Sequence, residues 1–381
     1  MTVWLIVLRS LRQHALSTTI TALSIALAGG LLMSVWIVKA QSQATFTGVN
    51  GGFDAVLGAR GSKLQLVLNS IFHLENSPGN LSAADYLDIK KNPRVALAIP
   101  IAVGDNYHGY RLVGTVPEMF EKVEYAPGKH YALQPGGHFF GDATNHEAVA
   151  GSFVAQKMGL KPGDTFHPYH GLIFDESKQH AETYVVAGVM KPSNTPADRV
   201  IWIPLEGIQK MSGHDPKTAT DVSAVLLKLR GGPSVGFGLD MMYNRQGDRL
   251  TFAWPIASTM ADLFRKISWF DKVLTLVSYV VALVATASIL ASIYNSMNER
   301  RREIAILRAL GARRRIIFGA IILEAAAISA LGMLVAFVFY WAIMTGAAAV
   351  IRAQTGIVLD PFKFNLVMLW APAALIALGA L

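Results

Sequence analysis

The segment from Asn298 to Arg315 reads NERRREIAILRALGARRR and separates two long apolar runs of the chain. Helical spacing places Ile304, Leu307 and Leu310 on one strip with Ile306 beside it, and the arginines around the rest of the circumference. Gly311 follows as a natural stop, because glycine readily accepts the left-handed conformation that ends many helices. The pattern predicts a short amphipathic helix.

Apolar runs on both sides of this segment are long enough to cross a membrane as helices. About 20 helical residues span the ~30 Å of hydrocarbon in a bilayer, and three runs reach that length: 15–38, 273–293 and 316–345. The first is about twice as long as the apolar part of a signal peptide, so we expect it to remain as an anchor. A fourth run, 366–381, has only sixteen residues, and we expect this last helix to continue beyond Leu381.

The distribution of charge predicts the orientation of these spans. Seven arginines and two glutamates lie between the second and third runs, and short basic loops stay on the cytoplasmic side. Segments 1–14 and 296–315 are therefore predicted to be cytoplasmic, and segment 41–266 to lie outside the cytosol. This outer segment is neutral, with 21 Lys and Arg against 21 Asp and Glu. The net charge of +8 thus reflects membrane topology rather than nucleic-acid binding.

The outer segment alternates helical and strand patterns, which is typical of an α+β domain. Its middle, 116–211, is predicted to form an inserted second lobe. Helices are expected over 64–72, over 81–89 after a Ser82 cap, and over 149–158. Strands are expected over 96–103, 110–116, 184–189, 200–203 and 222–229, with a turn at 104–106.

The predicted fold class is therefore an α-helical membrane protein with four transmembrane helices. A large α+β extracytoplasmic domain, of two lobes, is predicted between helices 1 and 2.

The sequence lacks the usual nucleotide-binding motif and the motif of zinc metalloproteases. No phosphate-binding G-x-x-x-x-G-K-[ST] loop occurs, and His146-Glu147 lacks the second histidine of an H-E-x-x-H zinc site. We therefore expect that the chain is not an enzyme and binds no cofactor, and that its energy comes from another polypeptide.

Three stretches, and the order of the predicted spans, resemble the FtsX, LolE and MacB superfamily of ABC-type permeases. The stretches are ERRREIAILRALGA before the third span, AVAGSFVAQKMGLKPGDTF from Ala148, and VVAGVMKPSNTPADRVIWIPL from Val185. The resemblance covers most of the chain. It implies a MacB-like periplasmic core domain, an FtsX-like permease domain and a multi-pass location in the bacterial inner membrane.

The resemblance also implies a role for the short helix. In the family this helix docks on a LolD-like ABC ATPase, which binds ATP and Mg. The ATPase moves the helices of a permease dimer. That dimer consists of two copies of the permease, or of one copy and a paralogue. The residues implied in ATPase coupling are Glu299, Arg300, Arg301, Arg302, Glu303, Ile304, Leu307, Arg308, Leu310 and Gly311. The alternative is a basic segment that contacts only membrane lipid, although a lipid anchor would favour aromatic residues on its apolar face.

Two further groups of polar residues invite a functional interpretation. Glu324 lies eight residues past Ile316, ~12 Å along the third span, where it either supports helix packing in the dimer or reaches an arginine at the interface. His167 and His170 are three residues apart, with His138, His146 and His180 nearby in the sequence, and could share a zinc ion. Pro168 breaks a helix there, so the sequence favours no metal site.

Two functions follow from the resemblance. The first is a permease that exports or extracts an apolar or peptidic cargo by mechanotransmission, with a periplasmic adaptor or lipoprotein as a further partner. The alternative is an FtsX-type signal transmitter that activates a periplasmic cell-wall hydrolase. The size of the outer domain favours the first.

Overall fold

A computed structural model describes residues 3–141, 146–214, 219–299, 301–309, 311, 313–355, 358–360 and 362. The chain divides into two compact units. One unit comprises Met1–Ser42, Ile267–Val350 and Leu359–Leu381, and the other comprises Gln43–Lys266 and Ile351–Val358. The predicted fourth span, 366–381, lies outside the described residues.

Twelve α-helices occur in the described part of the chain. They are α1 Val3–Gln13, α2 Ala15–Gly48, α3 Lys63–Ser70, α4 Ala83–Lys91, α5 Glu118–Glu121, α6 Ser152–Met158, α7 Leu205–Gln209, α8 Gly232–Asp240, α9 Ile256–Lys266, α10 Ser268–Glu299, α11 Arg301–Ala309 and α12 Arg314–Thr355. Two of them, α2 and the Arg314–Gln354 part of α12, are long and apolar enough to cross a membrane. The predicted span 273–293 lies within α10.

Twelve strands are found in the same described ranges. They are β1 Ala55–Ala59, β2 Val95–Tyr107, β3 Tyr110–Thr115, β4 Glu124–Ala126, β5 Lys129–His130, β6 Glu147–Ala150, β7 Thr165–Phe166, β8 Tyr169–His170, β9 Tyr184–Val189, β10 Ile201–Pro204, β11 Ala224–Leu229 and β12 Leu250–Ala253. Together with α3–α9, they make the outer segment the large α+β domain that the sequence predicts.

Ten of these strands form one mixed sheet in the order β12-β1-β11-β2-β3-β10-β6-β9-β7, with β8 paired to β2. β1 pairs antiparallel with β12, from Val56 opposite Ala253 to Ala59 opposite Leu250. The predicted insert, 116–211, supplies strands to this same sheet, because β10 pairs in parallel with β3. A division into two lobes is therefore not confirmed.

Local sequence signals explain several element boundaries. Ser82 caps α4 through a reciprocal capping box with Asp85, as its position predicts. α6 ends at Gly159, whose φ of 71° is left-handed. The core of the domain is apolar, and Trp202 is its largest fully buried side chain.

Two of the local predictions are wrong in their boundaries. The turn expected at 104–106 is strand, because β2 continues to Tyr107 and the chain reverses at His108 and Gly109, with φ of 46° and 85°. The helix expected over 149–158 begins only at Ser152, since the preceding apolar residues form β6.

Candidate functional site

The short amphipathic segment forms helix α11, which begins at Arg301 and ends at Ala309. The backbone N–H of Gly311 donates to the Arg308 carbonyl over 3.1 Å, and Gly311 has a φ of 91°. This turn leads into α12 at Arg314. A short helix ended by Gly311 is therefore present where the sequence predicts one.

The outer surface of α11 combines positive charge with an apolar side chain. Ile306 is 54 % exposed, and Arg301, Arg302 and Arg308 are exposed as well. For four predicted coupling residues, the structure describes the backbone but not the side chain: Glu299, Glu303, Ile304 and Leu307. Two more, Arg300 and Leu310, lie outside the described residues.

Helices α2 and α12 contact each other closely through small residues. A Cβ added to Gly30 would lie 2.8 Å from the Phe339 Cβ, and one added to Gly332 would lie 2.8 Å from the Ile25 Cβ. Small residues let helix backbones approach in this way inside membranes.

Glu324 lies on α12 as a partly buried residue.

Within the outer domain, four polar side chains meet at one point: Asp105, His170, His180 and His214. Asp105 is on β2, where the pairing with β3 shifts register between Val103 and Asn106. His170 on β8 lies directly opposite Asp105 across the β2–β8 pair. His180 follows the 3₁₀ turn Glu176–Lys178, and His214 follows α7. We refer to these four residues as the histidine cluster.

All three imidazoles of the cluster point a nitrogen at the same carboxylate oxygen, Oδ1 of Asp105. The distances are 3.3 Å from His170 Nδ1, 3.1 Å from His180 Nε2 and 3.3 Å from His214 Nε2. One ligand atom from each of the four residues lies within 4.8 Å of all the others. The arrangement is one that a metal ion could occupy.

Burial and charge set the protonation of this cluster. Asp105 is fully buried, which opposes ionisation, but the hydrogen bonds from His180 and His214 outweigh that effect and hold its pKa below the ordinary value. The hydrogen bond to Asp105 raises the pKa of His214 in turn. Asp105 Oδ2 is buried and has no hydrogen-bond partner among the described residues.

Neighbouring side chains hold the cluster in place. The buried Asn106 side-chain amide donates to the carbonyls of Tyr169 and Gly171, on either side of His170, over 3.3 and 2.8 Å. Glu182 accepts from the Ser212 N–H over 2.7 Å and from its hydroxyl over 2.9 Å, and so ties the loop of His214 to that of His180.

The cluster opens on a cavity of ≈ 300 Å³. His170 and His214 form part of its wall, together with Asn80 and Asp221. The two more exposed histidines of the cluster are therefore accessible from this cavity.

Of the two histidines that the sequence singles out for metal binding, the structure brings only His170 into the cluster. The Nδ1 atom of His167 instead lies 3.0 Å from the Glu182 carbonyl oxygen. Sequence reasoning missed Asp105 and His214, which are 65 and 44 residues away from His170 along the chain. No local spacing could indicate them.

The expectation that the sequence holds no catalytic motif is wrong for one pattern. Gly232–Gly236 reads GPSVG, which matches the G-x-S-x-G pattern of hydrolase nucleophiles. Ser234 is exposed on the first turn of α8 and, among the described residues, has no hydrogen bond to a histidine. The pattern here forms the start of a helix, with Pro233 at a position that favours one.

Comparisons with known proteins bear on both parts of the chain. Residues 16–235 match the model of the MacB-like periplasmic core domain, and residues 275–381 match that of the FtsX-like permease C-terminal domain. No curated protein sequence matches the chain.

Two solved structures resemble part of the chain. One is the extracellular domain of the noncanonic ABC-type transporter YknZ from Gram-positive bacteria, with 16% identity over 52% of this chain and 97% of that one, and a TM-score of 0.33. The other is the periplasmic region of MacB from Actinobacillus actinomycetemcomitans, with 11% identity over 56% of this chain and 94% of that one, and a TM-score of 0.35.

Proposed function

Since the chain belongs to the FtsX/LolE/MacB superfamily of ABC-type permeases, we propose that it is the permease subunit of a transporter driven by a separate LolD-like ATPase. Members of this superfamily serve transport or transmembrane signalling from the inner membrane, and the ATPase is generally a partner subunit. ATP and Mg would be bound by that partner.

Helix α11 is the observation that carries this proposal. It presents exposed arginines and the exposed Ile306 on a short rod between two long helices, α10 and α12. An amphipathic helix of this kind suits a groove on a partner protein, with apolar side chains as anchors and charged ones at the rim. Movement of the partner would then be passed to both helices together.

The outer domain would receive this movement. It follows α2 and precedes α10 in the chain, so helices that shift carry both of its connections with them. We propose that ATP-driven motion of the outer domains of a dimer exports or extracts an apolar or peptidic cargo, with a periplasmic adaptor or lipoprotein bound there.

Substitutions on α11 test the coupling. The chain is co-expressed in membranes with the LolD-like ATPase of the same genome, and copurified ATPase and its stimulated activity are measured. Ile306→Asp is expected to reduce both on the order of thirtyfold, because an anchor residue at an interface contributes about 2 kcal/mol. The charge control is Arg245→Glu, at an exposed residue of the π-helix Met241–Gln246 in the outer domain, which should leave both unchanged.

Retention of the ATPase by Ile306→Asp would contradict docking of the ATPase through α11 and would favour a helix that contacts lipid only. The proteins bound to the outer domain distinguish the two family functions. An adaptor or lipoprotein supports transport, whereas a cell-wall hydrolase would assign the signalling role instead.

Glu324 offers a second test of the dimer. We propose that this partly buried carboxyl on α12 supports packing of that helix in the permease dimer. Glu324→Ala is expected to lower the dimer fraction in crosslinking and to lower ATPase stimulation, while Glu324→Gln retains more of both. Unchanged assembly and stimulation in Glu324→Ala would show that the residue has no such role.

A further inference from the structure

The histidine cluster is poorly explained as a set of hydrogen bonds. Three imidazole nitrogens crowd around Asp105 Oδ1, at 3.1 to 3.3 Å, while the buried Oδ2 has no partner in the described part of the chain. A carboxylate offers about four acceptor sites over its two oxygens, and buried polar atoms are normally paired. Hydrogen bonding alone would spread the three donors over both oxygens.

The same distances fit coordination of a small cation. Zinc binds imidazole nitrogen at about 2.0–2.1 Å and carboxylate oxygen at about 2.0–2.2 Å in a tetrahedron. Ligand atoms on such a tetrahedron are separated by roughly 3.3–3.5 Å, close to the three N···O distances of the cluster. The remaining pairs lie within 4.8 Å, so only small side-chain movements would complete the tetrahedron.

We propose that Asp105, His170, His180 and His214 bind one divalent transition-metal ion, and that Zn²⁺ is the ion the site is built for. Three imidazoles and one carboxylate are a donor set that suits zinc, whereas Ca²⁺ and Mg²⁺ prefer oxygen ligands. Copper or nickel could also bind this set in vitro, since imidazole suits both. The chain has no cysteine to provide a thiolate alternative.

The surroundings of the cluster are those of a prepared metal site. Asp105 is fixed within β2, and the amide of Asn106 holds the backbone on both sides of His170. Glu182 holds the loop of His214 through Ser212. Groups that orient ligands in this way are typical of metal sites and raise their affinity. The ≈ 300 Å³ cavity beside His170 and His214 provides the entry path.

The consequence of binding is a connection between distant parts of the outer domain. The ligands come from β2, from the 170–180 segment and from the loop after α7. A bound ion would therefore fix these segments to one another. A bound metal would make this part of the domain more rigid. Because that effect does not involve the ATPase, the proposal can be tested independently of ATPase coupling.

The test uses the full chain in detergent micelles or nanodiscs, purified without a polyhistidine tag and stripped with a chelator. Zn²⁺ is titrated in competition with a chromophoric chelator, and thermal unfolding is followed with and without the metal. We expect one Zn²⁺ per chain, a higher unfolding temperature in its presence, and an X-ray absorption spectrum with four N/O ligands near 2.0 Å.

Three variants remove ligands, and one serves as a control. His180→Ala, Asp105→Asn and His170→Ala are each expected to weaken binding at least about 100-fold, since even the loss of a supporting group costs 10–100-fold. His170 has an exposed side chain, so its variant should fold even if the buried ones do not. His138→Ala is the control, because His138 is exposed and pairs with Glu147 outside the cluster.

Two outcomes would overturn the proposal. The first is that the stripped chain binds no stoichiometric Zn²⁺. The second is that His170→Ala binds it as tightly as the parent chain, which would place the ion elsewhere.

Discussion

His73 is a buried histidine whose environment keeps it neutral. It is 6 % exposed, and its ring packs edge-on against Trp202 at 5.7 Å between centroids. Burial, with the positive charges of Arg111 and Arg199, lowers its pKa to about 3. Protonation of this residue is therefore linked to the stability of the outer domain.

The linkage predicts a loss of stability in acid. Between pH 6.5 and about 3, the unfolded chain binds a proton on His73 that the folded chain does not, so stability falls as the pH falls through this window. The loss is roughly 1.4 kcal/mol per pH unit for a single such group. His73→Asn does not titrate, and asparagine tolerates the φ of 55° at this position. We therefore expect a shallower decline in the variant.

Thermal unfolding of the full chain between pH 7 and pH 4, followed by tryptophan fluorescence, measures this decline. His108→Asn, at an exposed histidine whose φ of 46° is also left-handed, is the matched control and should keep the slope of the parent chain. Equal slopes for His73→Asn and the parent would contradict the assignment.

Asp105 is a residue whose structural position could not be predicted from the sequence. Gly104, Asp105 and Asn106 all favour turns, so the sequence predicts a turn there. The strand pairing of β2 with β3 and β8 overrides that preference and moves the turn to His108 and Gly109. A buried carboxyl among histidines is visible only once these distant segments are brought together.

The packing of α2 on α12 is the element-scale feature most open to a direct test. Gly332→Val would place a Cβ 2.8 Å from the Ile25 Cβ and 2.9 Å from the Ala22 carbonyl oxygen. The helices must then separate, and overpacking of this kind costs about 1–3 kcal/mol. We expect a lower unfolding temperature for the chain in detergent.

Gly319→Val, on the same helix, is the control, because a Cβ there meets no described atom within 4 Å. Its unfolding temperature should remain that of the parent chain. If both variants unfold alike, the loss stems from the helix itself and not from its contact with α2.

Apolar run length predicts the long helices well but not their ends. The runs 15–38 and 316–345 lie within α2 and α12, which both extend further because a helix continues through polar residues as long as its backbone bonds can form. Short apolar runs, in contrast, are compatible with either a helix or a strand. The 149–158 run divides at Gly151, where an added Cβ would lie 2.4 Å from the Asp198 carbonyl oxygen. That close approach cannot be read from the sequence.

At the scale of the whole molecule, the sheet predicts the pattern of backbone protection. β1, β2 and β11 lie inside the sheet, and most of their residues are buried, whereas the ribbon of β4 and β5 lies outside it and contains no buried residue. Amides inside a buried sheet open only with large free energies, and those of short exposed ribbons open readily.

Hydrogen exchange followed by mass spectrometry should therefore show slow exchange for the three sheet strands and rapid exchange for Glu124–His130. Equal rates in the two regions would mean that the sheet does not behave as one unit. The strand order itself was beyond sequence reasoning, because periodicity indicates a strand but not its neighbours.

The pairing of β1 with β12 has a mechanical consequence. β1 is the first strand after α2, and β12 is the last before α9 and α10, so the two covalent connections to the long helices leave from adjacent antiparallel strands. Both connections leave from the same end of the pair, near Val56 and Ala253. If one connection is pulled against the other, the pair is loaded at one end and opens like a zipper, so its hydrogen bonds break one by one rather than together. Long helices that move together leave this edge of the sheet unloaded, whereas long helices that separate would peel β12 from β1.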